Sequence, residues 1–376
     1  MKIAILGASK PHLPLYQKAH EMGLETYCIA WAEGAYCKDY ADYFFDISIL
    51  DKESIVEVCK QEKIQGIISN AIDFAVPTLA YVAQECGFNG NSYQAALQAT
   101  SKKLMRMCVA EAKACPQPRF HVLTDSNFSI DHYPVVVKPV DGSCSDGVSK
   151  VSNSSDLVKA LERGFQASRH KELLIEEFIS GQEVSVESIS YHGKHYVLTI
   201  TDKETTGAPY FVETAHHQPS LLNQAIQAKI KQYTLQVLDA LSISNGATHT
   251  EFKITPDGQV YFIELGARGG GDFISYDLVQ LSTSYDYVRG MIEVALGSFT
   301  EPELNKQAAA GVYFLSQETA YLAEYIRVNQ NQAWMVDFEV EQKPLVPLKR
   351  SQDRVGYFIY QNPERIVVNN KKKDYE

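Results

Sequence analysis

Over its first quarter the chain alternates short apolar runs with amphipathic stretches. KIAIL (2–6), TYCIA (26–30) and GIIS (66–69) read as strands, and residues 15–22, 52–60 and 76–86 as the helices between them. This alternation predicts a parallel sheet with helices on its faces. A helix is expected at 101–114, ended by Pro116 and Pro118. YPVVVKP (133–139) is a β-branched strand, followed by the small-residue loop DGSCSDGV (141–148) and a return strand SKVSN (149–153). LLIEEFISGQEVSVESIS (173–190) reads as two strands hinged at Gly181, and the polar segment 202–219 as a long loop of the lid or binding kind. A helix at 221–241 leads to a hairpin, HTEFKI (249–254) and QVYFIEL (259–265), turning at Pro256, Asp257 and Gly258. After a helix at 284–296, AGVYFL, WMVDFEVE and RVGYFIYQ alternate as a small antiparallel sheet, and NNKKKDYE reads as a solvated tail.

The hairpin at 249–265 is where chemistry concentrates. Folding at Asp257 sets Glu251 and Glu264 opposite one another, with both carboxylates on one sheet face. Two such acids repel unless a cation lies between them, so they form either a divalent-metal site or an acid–base pair with one raised pKa. Gly266, Arg268 and the run Gly269, Gly270, Gly271 follow, a cation on bare backbone that suits a phosphate. The plain alternative is a solvated hairpin with a flexible turn. Lys102 and Lys103 stand at a helix start, where cations oppose the helix dipole, so at least one is expected to face an anion. Lys138 ends a strand just before the Gly-rich loop, whose backbone N–H groups could fold over a phosphate.

Composition narrows the classes. A chain of 376 residues holds two or three cores, and a net charge of −11 argues against a nucleic-acid surface. No apolar run approaches the ~20 residues that cross a bilayer, and MKIAILGASK has no cleavable signal architecture. A cytoplasmic protein without a membrane segment is expected. The seven cysteines are scattered without a CxxC pair and fit reduced, buried thiols. Cys144 lies in the Gly-rich loop but has no base near it in sequence to activate it. LGAS (6–9) lacks G-x-G-x-x-G, which argues against a dinucleotide site, and leaves the strand ends at 7–10 and 69–73 as the place for a small ligand.

Taken in order, Lys102 in SKKLMR, Lys138 in VVVKP, the Gly-rich loop, the acidic strand pair, Glu251, Glu264 and Arg268 resemble the ATP-grasp superfamily over nearly the whole chain. The resemblance implies an α/β ATP-grasp fold: a Rossmann-like parallel-sheet domain at 1–98, an ATP-grasp domain at 99–300 with a lid subdomain at about 116–182, and a β-rich C-terminal subdomain at 301–376. It also implies roles. Lys102 and Lys138 bind phosphates, and the loop with Ser143, Ser145 and Gly147 covers the triphosphate. Glu176 and Glu177 lie at the adenine edge, Ile179 meets the base through its backbone, and Glu183 accepts from the ribose hydroxyls. Glu251 and Glu264 hold Mg²⁺, with Mn²⁺ as the alternative metal, and Arg268 steadies the transferred phosphoryl group. One departure stands out: where the family often has Asn as a further metal ligand, two residues after the second acid, this chain has Gly266.

Within the superfamily, FVETAHHQP (211–219) resembles the substrate loop of the carboxylate–amine ligases that join L-amino acids. That likeness implies a substrate site of Glu213, His216, His217, Arg268, Gly270 and Asp272, with His216 or His217 taking the amine proton. Asp272, where a bulky aromatic can stand in that group, is expected to favour a larger or cationic amine. The implied reaction joins a small carboxylate to an amine through an acylphosphate, releasing ADP and phosphate. Relatives of this kind are often dimers. Two other readings use the same residues: a ligase acting on a sugar-acid or purine-pathway substrate, and a protein that binds ATP without turning it over.

Overall fold

Ile3 and Ile5 point to one face of the first strand and Ala4 and Leu6 to the other, and all four are fully buried. Burial on both faces is the signature of a parallel strand in the middle of a layered sheet. In the computed structural model, which describes residues 1–124, 130, 132–142, 147–304 and 308–368, this strand is β1 (Lys2–Leu6). With β2 (Glu25–Ala30), β3 (Tyr43–Asp46) and β4 (Gly66–Ile68) it forms a parallel sheet of order β3-β2-β1-β4. Helices α1 (Leu13–Glu21), α2 (Lys52–Gln61) and α3 (Val76–Cys86) connect these strands and lead away from them, as the alternation predicts. α4 (Tyr93–Thr100) and α5 (Lys102–Ala112) then carry the chain onward, with the Ser101 side chain accepting from Leu104 N to cap α5.

The second sheet is small and antiparallel. It contains β5 (Phe120–Leu123), β6 (Val135–Pro139), β7 (Ser149–Val151) and β8 (Leu173–Glu177), in the order β5-β8-β6-β7. α6 (Ser154–Ala167) covers it, burying Leu157, Ala160 and Leu161 against Val135, Val137, Leu173 and Ile175.

The third sheet has eight antiparallel strands: β9 (Gln182–Tyr191), β10 (Lys194–Thr205), β11 (Glu213–Gln218), β12 (Gly246–Ile254), β13 (Val260–Gly266), β14 (Ala309–Leu315), β15 (Met335–Val340) and β16 (Gly356–Asn362). Their order is β13-β12-β9-β10-β11-β14-β16-β15. α7 (Gln224–Ala240) lies on one face over Phe252 and Phe262. α8 (Val279–Thr283), α9 (Tyr287–Leu296) and α10 (Leu322–Asn329) complete the helices. α9 shares one core with α1, β1 and the Ile189, Leu198 and Ala247 end of the large sheet, which ties the first sheet to the third.

Residues 173–190 form the two strands expected, β8 in the small sheet and β9 in the large one, with Gly181 at the crossing, and two other segments differ from expectation. An ideal Cβ on Gly181 would sit 2.0 Å from Ile254 O, so only glycine lets the chain pass that close to β12. Residues 202–219 are not a long loop; most of them lie in β10 and β11, and the connection is confined to 206–212. The final strands are antiparallel as expected but extend the large sheet instead of forming their own.

Candidate active site

Glu251 and Glu264 are direct partners in the β12–β13 register, with an irregularity just past Glu251. Facing residues in such a ladder share one sheet face, so both carboxylates project away from the Phe252 and Phe262 core. Each meets a lysine. Lys203 Nζ donates to Glu251 Oε1 at 2.6 Å, and Lys102 Nζ donates to Glu264 Oε1. Burial opposes ionisation of Glu251, yet the Lys203 cation outweighs it and holds the carboxyl well below its usual range. Glu251 is therefore a permanent anion and not the raised member of an acid–base pair.

Lys203 was not anticipated, because the segment around it reads as a loop; once it is placed on a strand, the logic is plain. Its side chain is 4% exposed and lies among three carboxylates, with Nζ 2.6 Å from Glu251, 2.7 Å from Glu183 and 3.4 Å from Glu213. It is paired directly with Glu183 across β9–β10, and Glu183 is paired in turn with Lys253 on β12. Burial works against its charge, and the acids, Glu183 first, raise its pKa well above the ordinary lysine value.

Lys102, at the first position of α5, also donates to Gly142 O at 2.8 Å, so its anion is the second hairpin acid. Lys103 pairs with Glu172 at 2.9 Å. On the small sheet, Lys138 Nζ lies 2.6 Å from Glu176 Oε2, and Arg106 Nε donates to Glu176 Oε1 at 2.5 Å. Arg106 was also unforeseen, and its other arm reaches Ile263 O on β13, bridging the two sheets. Glu176 is buried; desolvation resists its charge, but Arg106 and then Lys138 pull it down to about 2. Its carboxylate is thus an internal counter-ion that aims Lys138. Glu177 is half-exposed and meets Arg119 at 3.1 Å, and Ile179 is buried in the segment that joins β8 to β9. Ser143 and Ser145 lie outside the described residues. Gly147, with φ +72°, leaves no room for a side chain: a Cβ there would meet Ala167 and Pro139.

Arg268 is held bidentately by Asp73, both contacts at 3.0 Å. Asp73 follows β4 in the first sheet, so the strand-end segment 69–73 does reach the site, through a carboxylate. The same contact accounts for Gly266. A Cβ at 266 would sit 2.9 Å from Asp73 Oδ1 and 3.1 Å from Arg268 Cζ, so the ion pair fills the place of a side chain. Gly270 N donates to Glu187 Oε2 at 3.1 Å, and Glu187 lies beside His249. The flanking carboxylates Glu187 and Glu251 overcome burial and raise His249 to about 9.

Glu213, His216 and Asp272 come together, with His216 Nε2 3.6 Å from Asp272. His217 does not join them. Consecutive residues of β11 face opposite ways, and His217 instead meets Tyr360 Oη at 2.9 Å and Glu204 at 3.1 Å. The cluster holds a further unforeseen residue, Arg354, which donates to Asp272 at 2.8 Å and to Glu213. Asp272 is already matched, so a cationic amine would compete with Arg354 for it.

Residues 131–277 match the family model of the ATP-grasp domain. The chain carries an ATP-grasp domain. The chain is 34% identical over 152 residues to dapdiamide A synthase of Enterobacter agglomerans, covering 38% of this chain and 35% of that protein. It is 26% identical over 245 residues to alanine–anticapsin ligase of Bacillus subtilis (strain 168), covering 58% of this chain and 51% of that protein. The chain thus spans about a third to half of the length of these relatives. The solved L-amino acid ligase from Bacillus licheniformis shares the fold with a TM-score of 0.80 at 23% identity, over 96% of this chain and 93% of that one. The fold around this ATP-grasp domain is an ATP-grasp fold. Among the described residues, no helix is long and apolar enough to cross a membrane.

Among the described residues no three His, Cys, Asp or Glu side chains gather as a metal cluster. The donor set is two opposed carboxylates, each with an ammonium beside it. That fits Mg²⁺, which is usually held by one or two carboxylates with phosphate oxygens and water completing its shell.

Proposed function

We propose that this protein is an ATP-dependent carboxylate–amine ligase of the carbon–nitrogen bond-forming type. The observation that carries the reading is the cross-strand pair Glu251 and Glu264, opposed on one face and ringed by Lys102, Lys203 and Arg268, with Lys138 on the small sheet. Glu251 and Glu264 would hold Mg²⁺, or Mn²⁺ in its place, which would supply charge neutralisation to the triphosphate. Lys102 and Lys138 turn from their carboxylate partners to phosphate oxygens, while Ile179, Glu177 and Glu183 line the nucleoside end and Glu176, buried against Arg106, stays an internal counter-ion. Arg268, kept in one orientation by Asp73, faces the oxygens that gain charge as the γ-phosphoryl group passes to a substrate carboxylate. An amine then forms the new bond to the acyl carbon, and phosphate leaves. Glu213, His216 and Asp272 receive that amine, and His216 takes its proton.

Two of the relatives are named for joining amino-acid-like units, which supports an amino acid as one substrate. The test is a panel of carboxylates crossed with amines, read as ADP and phosphate release with the product identified by mass. Release that requires both a carboxylate and an amino acid is expected. Release with carboxylate sugars and none with amino acids would replace this reading with a sugar-acid ligase.

A further inference from the structure

Arg354 lies in the segment leading into β16, more than eighty residues past the glycine run, yet its side chain is 8% exposed and committed at three of its nitrogens. Nη1 donates to Asp272 Oδ2 at 2.8 Å. Nη2 donates to Glu213 O at 2.9 Å and to Glu213 Oε2 at 3.1 Å, and Nε donates to Glu213 O at 3.2 Å. The guanidinium also lies over the Phe314 ring at 3.9 Å, while His216 meets the same ring edge-on. A rigid planar fork of this kind fixes the direction of each partner, which a lysine in its place would not do.

What it fixes is strained. Asp272 and Phe273 both take left-handed backbone, with φ +51° and +66°, although neither is glycine. Non-glycine residues persist in that region only where the surroundings over-determine them, and such strain collects at functional sites. Here Arg354 holds the first of the two, and Tyr357, three residues on, packs its ring 4.2 Å from that of Phe273. The other end of the fork reaches Glu213, whose second oxygen is 3.4 Å from Lys203 and so one step from Glu251. Arg354 therefore joins the segment after the glycine run to the ion-paired centre.

We propose that Arg354 is a positioning residue for the amine subsite, clamping the Glu213 carboxylate and the left-handed Asp272–Phe273 backbone in the arrangement that receives the amine. The inference rests on the ligase reading above and goes beyond it by naming a residue outside the matched domain on which amine binding depends.

The test separates the two half-reactions in the full-length protein. With a carboxylate and ATP alone, hydroxylamine traps the acylphosphate as a hydroxamate; being small, it needs no subsite. Amine-dependent ligation is measured in parallel. In Arg354→Gln, hydroxamate formation is expected to stay within about threefold of wild type, while KM for the amine rises tenfold or more; Arg354→Lys should recover little of it. Arg354→Lys, which keeps a cation but not the planar fork, should raise the amine KM in the same direction and serves if Arg354→Gln does not fold. An unchanged amine KM in the folded variant, or a parallel fall of both half-reactions, overturns the inference while leaving the ligase reading intact. A wild-type protein that makes no hydroxamate from any carboxylate overturns both.

Discussion

Replacing Lys203 with Met leaves Glu183 and Glu251 beside one another with no cation between them. Removing one partner from a buried ionic cluster costs about 3–5 kcal/mol, because the remaining charge stays desolvated. Lys203→Met is expected to lower the urea midpoint accordingly and, at protein concentrations where it remains folded, to cut ADP release a hundredfold or more. The Glu176 cluster makes a pH prediction. Its folded pKa of about 2 lies below the ordinary glutamate value, so the stabilisation is fully present above about pH 4.5 and lost as pH falls toward 2. A shift of that size corresponds to about 3 kcal/mol. Glu176→Gln should flatten that part of the stability–pH curve, and should also destabilise the protein at neutral pH, since Arg106 and Lys138 lose their shared anion. Acid unfolding followed by circular dichroism would check both.

At the scale of elements, the chain crosses from the small sheet to the large one at Gly181, hard against β12. Gly181→Ala forces a methyl into the Ile254 carbonyl, and either β8 shifts or β12 does. A loss of about 2 kcal/mol is expected, with a weaker nucleotide affinity than the stability change alone explains, because Ile179 and Glu183 flank the crossing. A melting curve with and without Mg·ATP would separate the two effects. The elements were legible where one local rule decided them. The first sheet follows from its alternation, and the acidic hairpin from its turn residues and its period of two, down to the facing of Glu251 and Glu264. They were not legible where a strand carries charge on a buried face. DKET and ETAHH look solvated, yet Lys203 is buried among Glu183, Glu213 and Glu251 and His216 is buried beside Asp272, and pairing across strands is invisible in a linear sequence. For the same reason Arg106 and Arg354, whose partners lie 70 and 82 residues away, could not be assigned. α6 was missed despite a clear apolar stripe at Leu157, Ala160 and Leu161.

At the scale of the whole molecule, the first sheet reaches the candidate site. Asp73 crosses to Arg268, and Asn70 donates to Ser275, whose hydroxyl donates to Gly270 O. Asp73→Asn keeps the shape but removes the charge that orients Arg268. It is expected to slow turnover by ten- to a hundredfold with little change in ATP affinity, a split that steady-state kinetics would reveal.

Turnover as proposed requires a triphosphate and its metal to seat between Glu251 and Glu264. Isothermal calorimetry of ATP binding, with and without Mg²⁺, on wild type and on Glu264→Gln, tests this most directly. Wild type should bind Mg·ATP at least tenfold more tightly than metal-free ATP, and Glu264→Gln should lose that advantage. Equal affinity with and without the metal in wild type, or an advantage that survives in Glu264→Gln, would contradict it.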